Sequence, residues 1–220
     1  MMHTSKEVGL LGRMIAIIDY GAGNLQSVKK ALDVIGASSI ITKDAGCIRS
    51  ADAVILPGVG SFADAMDSMR ASGLTDTVVE AAHSGKPFLG ICLGLQLLFE
   101  TSEESPGAAG LGVLQGDIRR IPRKDGLKVP HIGWNSLAVT QRDGLFRGIP
   151  QGGYVYFVHS YYLKAAHEAE VAARTEYGVS IDAAVQKGNL CATQFHPEKS
   201  GRIGLQILRN FVAMSGKEED

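Results

Sequence analysis

Three short apolar runs, Ile15-Ala-Ile-Ile18, Ala53-Val-Ile-Leu56 and Phe88-Leu-Gly-Ile91, show no alternation of apolar and polar residues, and each stops at a glycine-containing turn. A strand with one wet face alternates, whereas a strand buried on both faces reads as a continuous apolar run. Helical patterns lie between the runs: Leu25 to Ile35 ending at Gly36, Phe62 to Met69, and Leu74 to Ala82 ending near Gly85 and Pro87. Strand, helix, strand in series predicts a parallel sheet with right-handed crossovers. A fourth helix, Leu93 to Glu100, is predicted directly after the third run.

From about Gly116 the pattern changes to strand-length runs with few helices: Asp117 to Ile121, Tyr154 to Leu163, Val171 to Glu176, Ile181 to Gln186 and Leu190 to Phe195. Lys187-Gly188-Asn189 has the composition of a hairpin turn, and an amphipathic helix is predicted from Gly201 to Met214. There is no repeat and no Ser- or Pro-rich linker, so one α/β domain with an antiparallel extension is the economical organisation. Residues 1–13 are expected to be a flexible N-terminal extension, 14–214 the domain, and 215–220 a charged tail.

Composition narrows the function. With 220 residues, 45% of them hydrophobic, the chain can bury a sizeable core, and a net charge of -1 leaves no basic excess for a phosphate backbone. Nucleic acid is not an expected partner. Nor is a membrane, since no run approaches the ~18 apolar residues of a spanning helix. Three cysteines, Cys47, Cys92 and Cys191, contain no C-x-x-C pair, which fits a reducing, cytoplasmic location and suggests neither a disulfide framework nor a thiolate zinc site.

Gly90-Ile91-Cys92-Leu93-Gly94 is a G-x-C-x-G block between an apolar strand and a helix, the setting of a nucleophile elbow. The small flanking residues allow strand and helix to approach, the helix end favours a thiolate, and the Leu93 amide is free to donate to an oxyanion. The bland alternative is a buried cysteine beside two packing glycines. Gln96 falls one helical turn after Cys92, on the same face, where its amide suits an amide substrate; otherwise it is an ordinary helix-surface residue. Cys47 and Cys191 lack this setting and read as a loop thiol and a strand filler.

A thiol nucleophile needs a base and a group that orients the base. Among six histidines, His196 in His196-Pro197-Glu198 ends a strand and carries a carboxylate two positions on. H-x-E also opens a zinc deaminase signature, but no P-C-x-x-C follows, so no metal is expected and no cofactor is assigned. His159 is the second candidate base, although strand alternation favours a packed or substrate-lining role. His3, His83 and His167 read as surface residues. Leu56-Pro57-Gly58-Val59-Gly60-Ser61 follows a buried strand and leaves amides uncovered, making Val59 and Gly60 candidates for the second oxyanion donor. A plain strand-to-helix turn capped by Ser61 is compatible with that role.

Together, Pro57-Gly58-Val59-Gly60, Gly90 to Gln96 and Gln194-Phe195-His196-Pro197-Glu198 resemble the class I (triad) glutamine amidotransferases. Ile17-Ile18-Asp19-Tyr20-Gly21-Ala22-Gly23-Asn24, Pro130-His131-Ile132-Gly133-Trp134-Asn135, Phe157-Val158-His159-Ser160-Tyr161 and Glu198-Lys199-Ser200 resemble one branch, the glutaminase subunits of imidazole glycerol phosphate synthase. The resemblance implies a flavodoxin-like three-layer α/β fold with a central, mostly parallel sheet and an antiparallel extension. It also implies that Cys92 attacks the side-chain amide of glutamine, His196 shuttles protons, Glu198 orients His196, and water hydrolyses the glutamyl thioester. Substrate glutamine is expected against Gln96 and the backbone of His159, Ser160 and Tyr161. Ammonia would pass to a cyclase subunit, a (β/α)₈ barrel of about 250 residues that this chain cannot also hold. Trp134, Asn135 and Lys199 are expected at that partner, with a packed Trp and a solvated Lys as the alternative.

Two other functions fit parts of this pattern. A free-standing cysteine hydrolase, such as a γ-glutamyl hydrolase or peptidase, would use the same elbow, but the Glu198 triad with Gln96 favours an amidotransferase. A non-catalytic binding module on the same fold would have no need of three chemically competent triad positions.

Overall fold

The computed structural model describes residues 13–215. The expected extension 1–13 and tail 215–220 therefore lie, except for Arg13 and Ser215, outside the described residues, as does His3. The first half of the chain alternates strand and helix as β1 (Ile15–Ile18), α1 (Leu25–Val34), β2 (Ser39–Thr42), α2 (Ala45–Ser50), β3 (Ala53–Gly58) and α3 (Phe62–Ala71). It continues through α4 (Thr75–His83), β4 (Phe88–Cys92), α5 (Leu93–Leu97), and the short β5 (Thr101–Ser102). The second half is β6 (Gly116–Arg120), β7 (His131–Ser136), β8 (Ala138–Val139), β9 (Tyr154–His159) and β10 (Tyr161–Ala165). It ends with β11 (Val171–Glu176), β12 (Ser180–Lys187), β13 (Leu190–Thr193) and α6 (Gly201–Met214).

Eight strands form the central sheet in the order β2-β1-β3-β4-β13-β12-β11-β8. From β2 through β13 the pairings are parallel, and from β13 to β8 they are antiparallel. The apolar runs lack alternation because helices cover both faces of the sheet. Ile15, Ile17, Ile55, Leu89 and Ile91 face a core completed by Val28 and Leu32 of α1 and Ile207 and Phe211 of α6. Ala16, Ile18, Val54, Leu56 and Phe88 face the opposite core, with Phe62, Met66 and Met69 of α3 and Val78 of α4. This is the three-layer arrangement implied by the resemblance.

Several local expectations are corrected. The run Tyr154 to Leu163 is two strands in two small sheets, β9 paired with β7 and β10 paired with β6, whose other edge carries β5, because the chain breaks at Ser160. The helix predicted for Leu93 to Glu100 stops at Leu97, and the last strand stops at Thr193 instead of Phe195. Cys47 is not a loop thiol: it sits, exposed, in α2, where Asp44 caps the helix by accepting from the Cys47 amide at 2.7 Å. Strands β2, β5, β7 and β8 and helix α2 carried no prediction.

Candidate active site

Sheet order brings the three motif blocks together. Gly58 of β3 is in register with Cys92 of β4, and Thr193 of β13 is in register with Ile91 of β4. The loops leaving β3, β4 and β13 therefore emerge side by side at the carboxyl edge of the parallel strands, where open α/β sheets place their ligands.

Cys92 joins β4 to α5 at φ 56° and ψ −109°, the one non-glycine residue with positive φ among the described residues. Such a conformation costs on the order of 1–3 kcal/mol and persists only where the surroundings enforce it. Close packing enforces it here. A Cβ on Gly94 would lie 1.9 Å from the Leu56 carbonyl oxygen, and one on Gly90 would lie 2.8 Å from the Gly94 oxygen. Both obstacles are backbone atoms and cannot swing aside. Gly94→Ala is accordingly expected to destabilise the fold by about 3 kcal/mol or more, while Gly107→Ala, a left-handed turn with open space around it, costs about 1–2 kcal/mol. Urea unfolding of the two variants checks this, and equal midpoints would contradict it.

The Cys92 thiol accepts from Gln194 Nε2 at 3.7 Å. His196 follows β13, and its Nδ1 lies 2.7 Å from Glu198 Oε1 with both side chains buried. Because a carboxylate only accepts, Nδ1 carries the proton and Nε2 is the atom free for chemistry. Neither His196 Nε2 nor Glu198 Oε2 has a hydrogen-bond partner, although both are buried. Burial by itself would lower the imidazole pKa, but the neighbouring Cys92 and Glu198 outweigh it and push the pKa up to about 9. Pro197 opens the short turn Pro197–Lys199, which returns Glu198 to the ring.

A cavity of about 320 Å³ opens over the thiol. Cys92 and His196 line it together with Val59, Gly60, Leu93 and Gln96, with His159, Ser160 and Tyr161, and with Lys199. Gln96 is buried and donates its amide to the Tyr161 carbonyl at 3.2 Å and to Gln194 Oε1 at 3.0 Å. Val59 is exposed on the rim, and Ser61 caps α3 by accepting from the Asp64 amide. His159 is buried and donates Nδ1–H to the Tyr161 carbonyl at 2.9 Å; desolvation first, and nearby imidazoles second, pull its pKa down to about 3. It lines the cavity as an uncharged ring.

Trp134 and Asn135 stand outside this cavity, on β7. Trp134 is 55% exposed, so the packed-core alternative does not hold for it. Asn135 has its amide committed within the chain, donating to the Glu176 carbonyl at 2.9 Å and accepting from the Ser136 amide at 2.8 Å. Lys199 is exposed at the cavity mouth.

Two groups at the site were not singled out from the sequence: Gln194, which reaches the thiol from behind the cavity wall, and Glu104, which lines the cavity. Gln194 shares the strand-end parity of His196, a signal that was available in Gln194-Phe195-His196. Glu104 had no motif around it. It enters the cavity wall because its carboxylate accepts the Phe62 amide at 2.8 Å, which draws its loop against α3. Among the described residues no group of three or more His, Cys, Asp or Glu side chains is arranged to hold a metal ion, and no helix is long and apolar enough to cross a membrane.

The family model of glutamine amidotransferase class-I matches residues 16–214. The chain belongs to the class-I glutamine amidotransferase family. It is 54% identical over 199 residues to the imidazole glycerol phosphate synthase subunit HisH of Moorella thermoacetica, covering 90% of this chain and 94% of the relative. The protein of that name from Methanothermobacter thermautotrophicus is 51% identical over 199 residues, 90% of this chain and 98% of the relative. Among solved structures, a glutamine amidotransferase superposes with a TM-score of 0.72 at 22% identity, covering 92% of this chain and 99% of that one. PurLQS from Thermotoga maritima gives 0.70 at 20% identity, covering 91% and 98%. At those identities the solved structures speak for the fold alone.

Proposed function

We propose that this chain is the glutaminase subunit of an imidazole glycerol phosphate synthase, acting in the cytoplasm, and that Cys92, His196 and Glu198 are its catalytic triad. The observation that carries the chemistry is the buried His196–Glu198 pair, 2.7 Å apart, beside a strained Cys92 on one cavity wall. Cys92 Sγ attacks the side-chain carbonyl carbon of glutamine as a thiolate, its proton being the one held on His196 Nε2. The oxyanion forms near the amides of Leu93 and of Val59 or Gly60. With a pKa of about 9, the His196 imidazole is protonated at neutral pH and so can give its Nε2 proton to the departing ammonia. The neutral ring then takes a proton from water as the resulting hydroxide attacks the thioester, releasing glutamate and regenerating the Cys92 thiolate beside a protonated His196.

The cavity suits glutamine at its other end too. Glu104 offers a carboxylate to the substrate's α-ammonium, while Gln96 and the His159-Ser160-Tyr161 corner form the wall along which the side chain would lie. A glutamine residue inside a polypeptide has no free α-ammonium for Glu104 to meet, which favours free glutamine over an internal peptide position.

Ammonia made here serves a cyclase subunit docked over the cavity mouth. Ile132 and Trp134 of β7 and Tyr154 of β9 are each more than half exposed, an apolar surface on a two-stranded ribbon beside Lys199. Trp134 and Lys199 are the proposed contacts, and Asn135 supports the ribbon from inside. The chain alone is expected to hydrolyse glutamine slowly, and addition of the cyclase subunit to raise the rate at least about tenfold, a coupling of ordinary allosteric size. Trp134→Ala should require more cyclase for the same response. Rates titrated against cyclase check this; a lone chain already running at the complexed rate, or a Trp134→Ala curve matching wild type, contradicts it.

A further inference from the structure

One buried group beside the cavity has no part in the triad chemistry. His131 of β7 is 3% exposed, pairs directly across the ribbon with His159, and lies flat between two rings. Tyr177 stacks on it with centroids 3.8 Å apart, and Phe157 with centroids 4.8 Å apart. Its Nδ1 is 3.0 Å from His159 Nε2, and His159 Nδ1 is 2.9 Å from the Tyr161 carbonyl oxygen.

The proton positions along this chain are dictated by its end. The Tyr161 carbonyl can only accept, so His159 Nδ1 carries a proton. In a neutral ring His159 Nε2 is then bare, so His131 Nδ1 must donate to it. His131 Nε2 is bare in turn and faces the Asn135 amide Nδ2, a donor, at 3.5 Å. Burial keeps both rings neutral, pulling His131 down to about 4 and His159 to about 3. The same Tyr161 carbonyl accepts from Gln96, so the relay terminates on the wall of the cavity.

We propose that His131 is a positioning residue for the glutamine site: by donating to His159 it locks the tautomer that pins the Tyr161 carbonyl, and so shapes the Ser160–Tyr161 corner and Gln96 for substrate. This rests on the reading that the cavity takes glutamine. His131 touches neither the thiol nor the triad, so its loss acts on substrate binding far more than on the chemical step. Without its donor, His159 Nε2 is left bare and buried, or the ring changes tautomer and sets a lone pair against the Tyr161 oxygen. Either displaces the corner.

Two substitutions separate the hydrogen bond from the stacking. His131→Phe keeps a flat ring between Tyr177 and Phe157 and removes the donor. His131→Asn removes the ring and keeps an N–H at about the Nδ1 position. In the complex with the cyclase subunit, His131→Phe is expected to raise KM for glutamine about tenfold with kcat changed less than about threefold, the signature of lost binding contacts. His131→Asn is expected to return KM toward wild type despite a lower melting temperature. The reverse order, with Phe like wild type and Asn impaired, or no effect in either, overturns the proposal. Imidazole ¹⁵N NMR of the chain tests the relay without turnover. His159 protonated at Nδ1 in wild type and altered in His131→Phe supports it; Nε2-protonated or charged His159 in wild type overturns it. A wild-type complex that releases no ammonia from glutamine would instead count against the functional reading, and the NMR result would still decide the relay.

Discussion

Cys92→Ala is expected to abolish glutamine hydrolysis, lowering turnover by about 10⁴-fold or more, while the protein melts within a few degrees of wild type. The nucleophile has no substitute nearby. Cys47 is exposed on α2, away from the cavity lining, and Cys191 is fully buried in β13, where burial pushes its thiol up to about 12 and keeps it inert. Ala variants at those two positions should keep wild-type turnover. The fold should tolerate Cys92→Ala because the strained turn is imposed by the packing of Gly90 and Gly94, which the substitution leaves in place. Ammonia release and thermal melting on the three variants decide the matter; appreciable turnover by Cys92→Ala would remove the nucleophile from the mechanism.

The second large effect is at His196. His196→Ala should lower turnover by about 10³-fold or more, and Glu198→Gln by less, because the carboxylate acts through the ring and the triad members work as a unit. Glu198 also leaves a trace in pH dependence. The folded-state pKa of His196, about 9, lies above the ordinary value of 6.5, so its contribution to stability is fully present below about pH 6.5 and is lost as pH rises through about 9. Glu198→Gln removes one of the two groups that raise the pKa. The variant should therefore lose less stability than wild type between pH 6.5 and 9, with the alkaline limb of its rate profile displaced downward in pH. Urea midpoints across that range, with rate profiles on the assembled enzyme, provide the check. Identical pH dependence in the two proteins, or His196→Ala retaining more turnover than Glu198→Gln, contradicts the assigned roles.

The parallel half of the fold could be read from the sequence because strands buried on both faces have no other way to look: Ile15–Ile18 and Phe88–Cys92 bury every residue. The edge strand Ser39–Thr42 escaped because it is short and only half buried. The ribbon strand His131–Ser136 escaped because Gly133 and a mixture of inward polar and outward apolar residues disguise its alternation. Nothing in Tyr154 to Leu163 announces that the chain leaves one sheet for another at Ser160, since alternation continues across the break.

The same contrast holds in the site. Cys92 and His196, the proposed nucleophile and base, stand out in the sequence because each sits where a strand ends and has a residue type suited to the proposed chemistry. Glu104 and His131 are held by neighbours distant in sequence, Phe62 for one and His159 for the other, and only the folded chain brings those neighbours together. Gln194 lay in between: quoted within a motif, its reach to the thiol became evident only from the register of β13 against β4.

The central claim is that glutamine is hydrolysed through a thioester on Cys92. Acid quenching of the cyclase-bound enzyme during turnover, followed by proteolysis and mass spectrometry, tests it most directly. The expected result is a glutamyl adduct on the peptide carrying Cys92, absent from Cys92→Ala and from samples without glutamine. Steady ammonia release with no adduct at Cys92, or with the glutamyl group on another residue, would contradict the account.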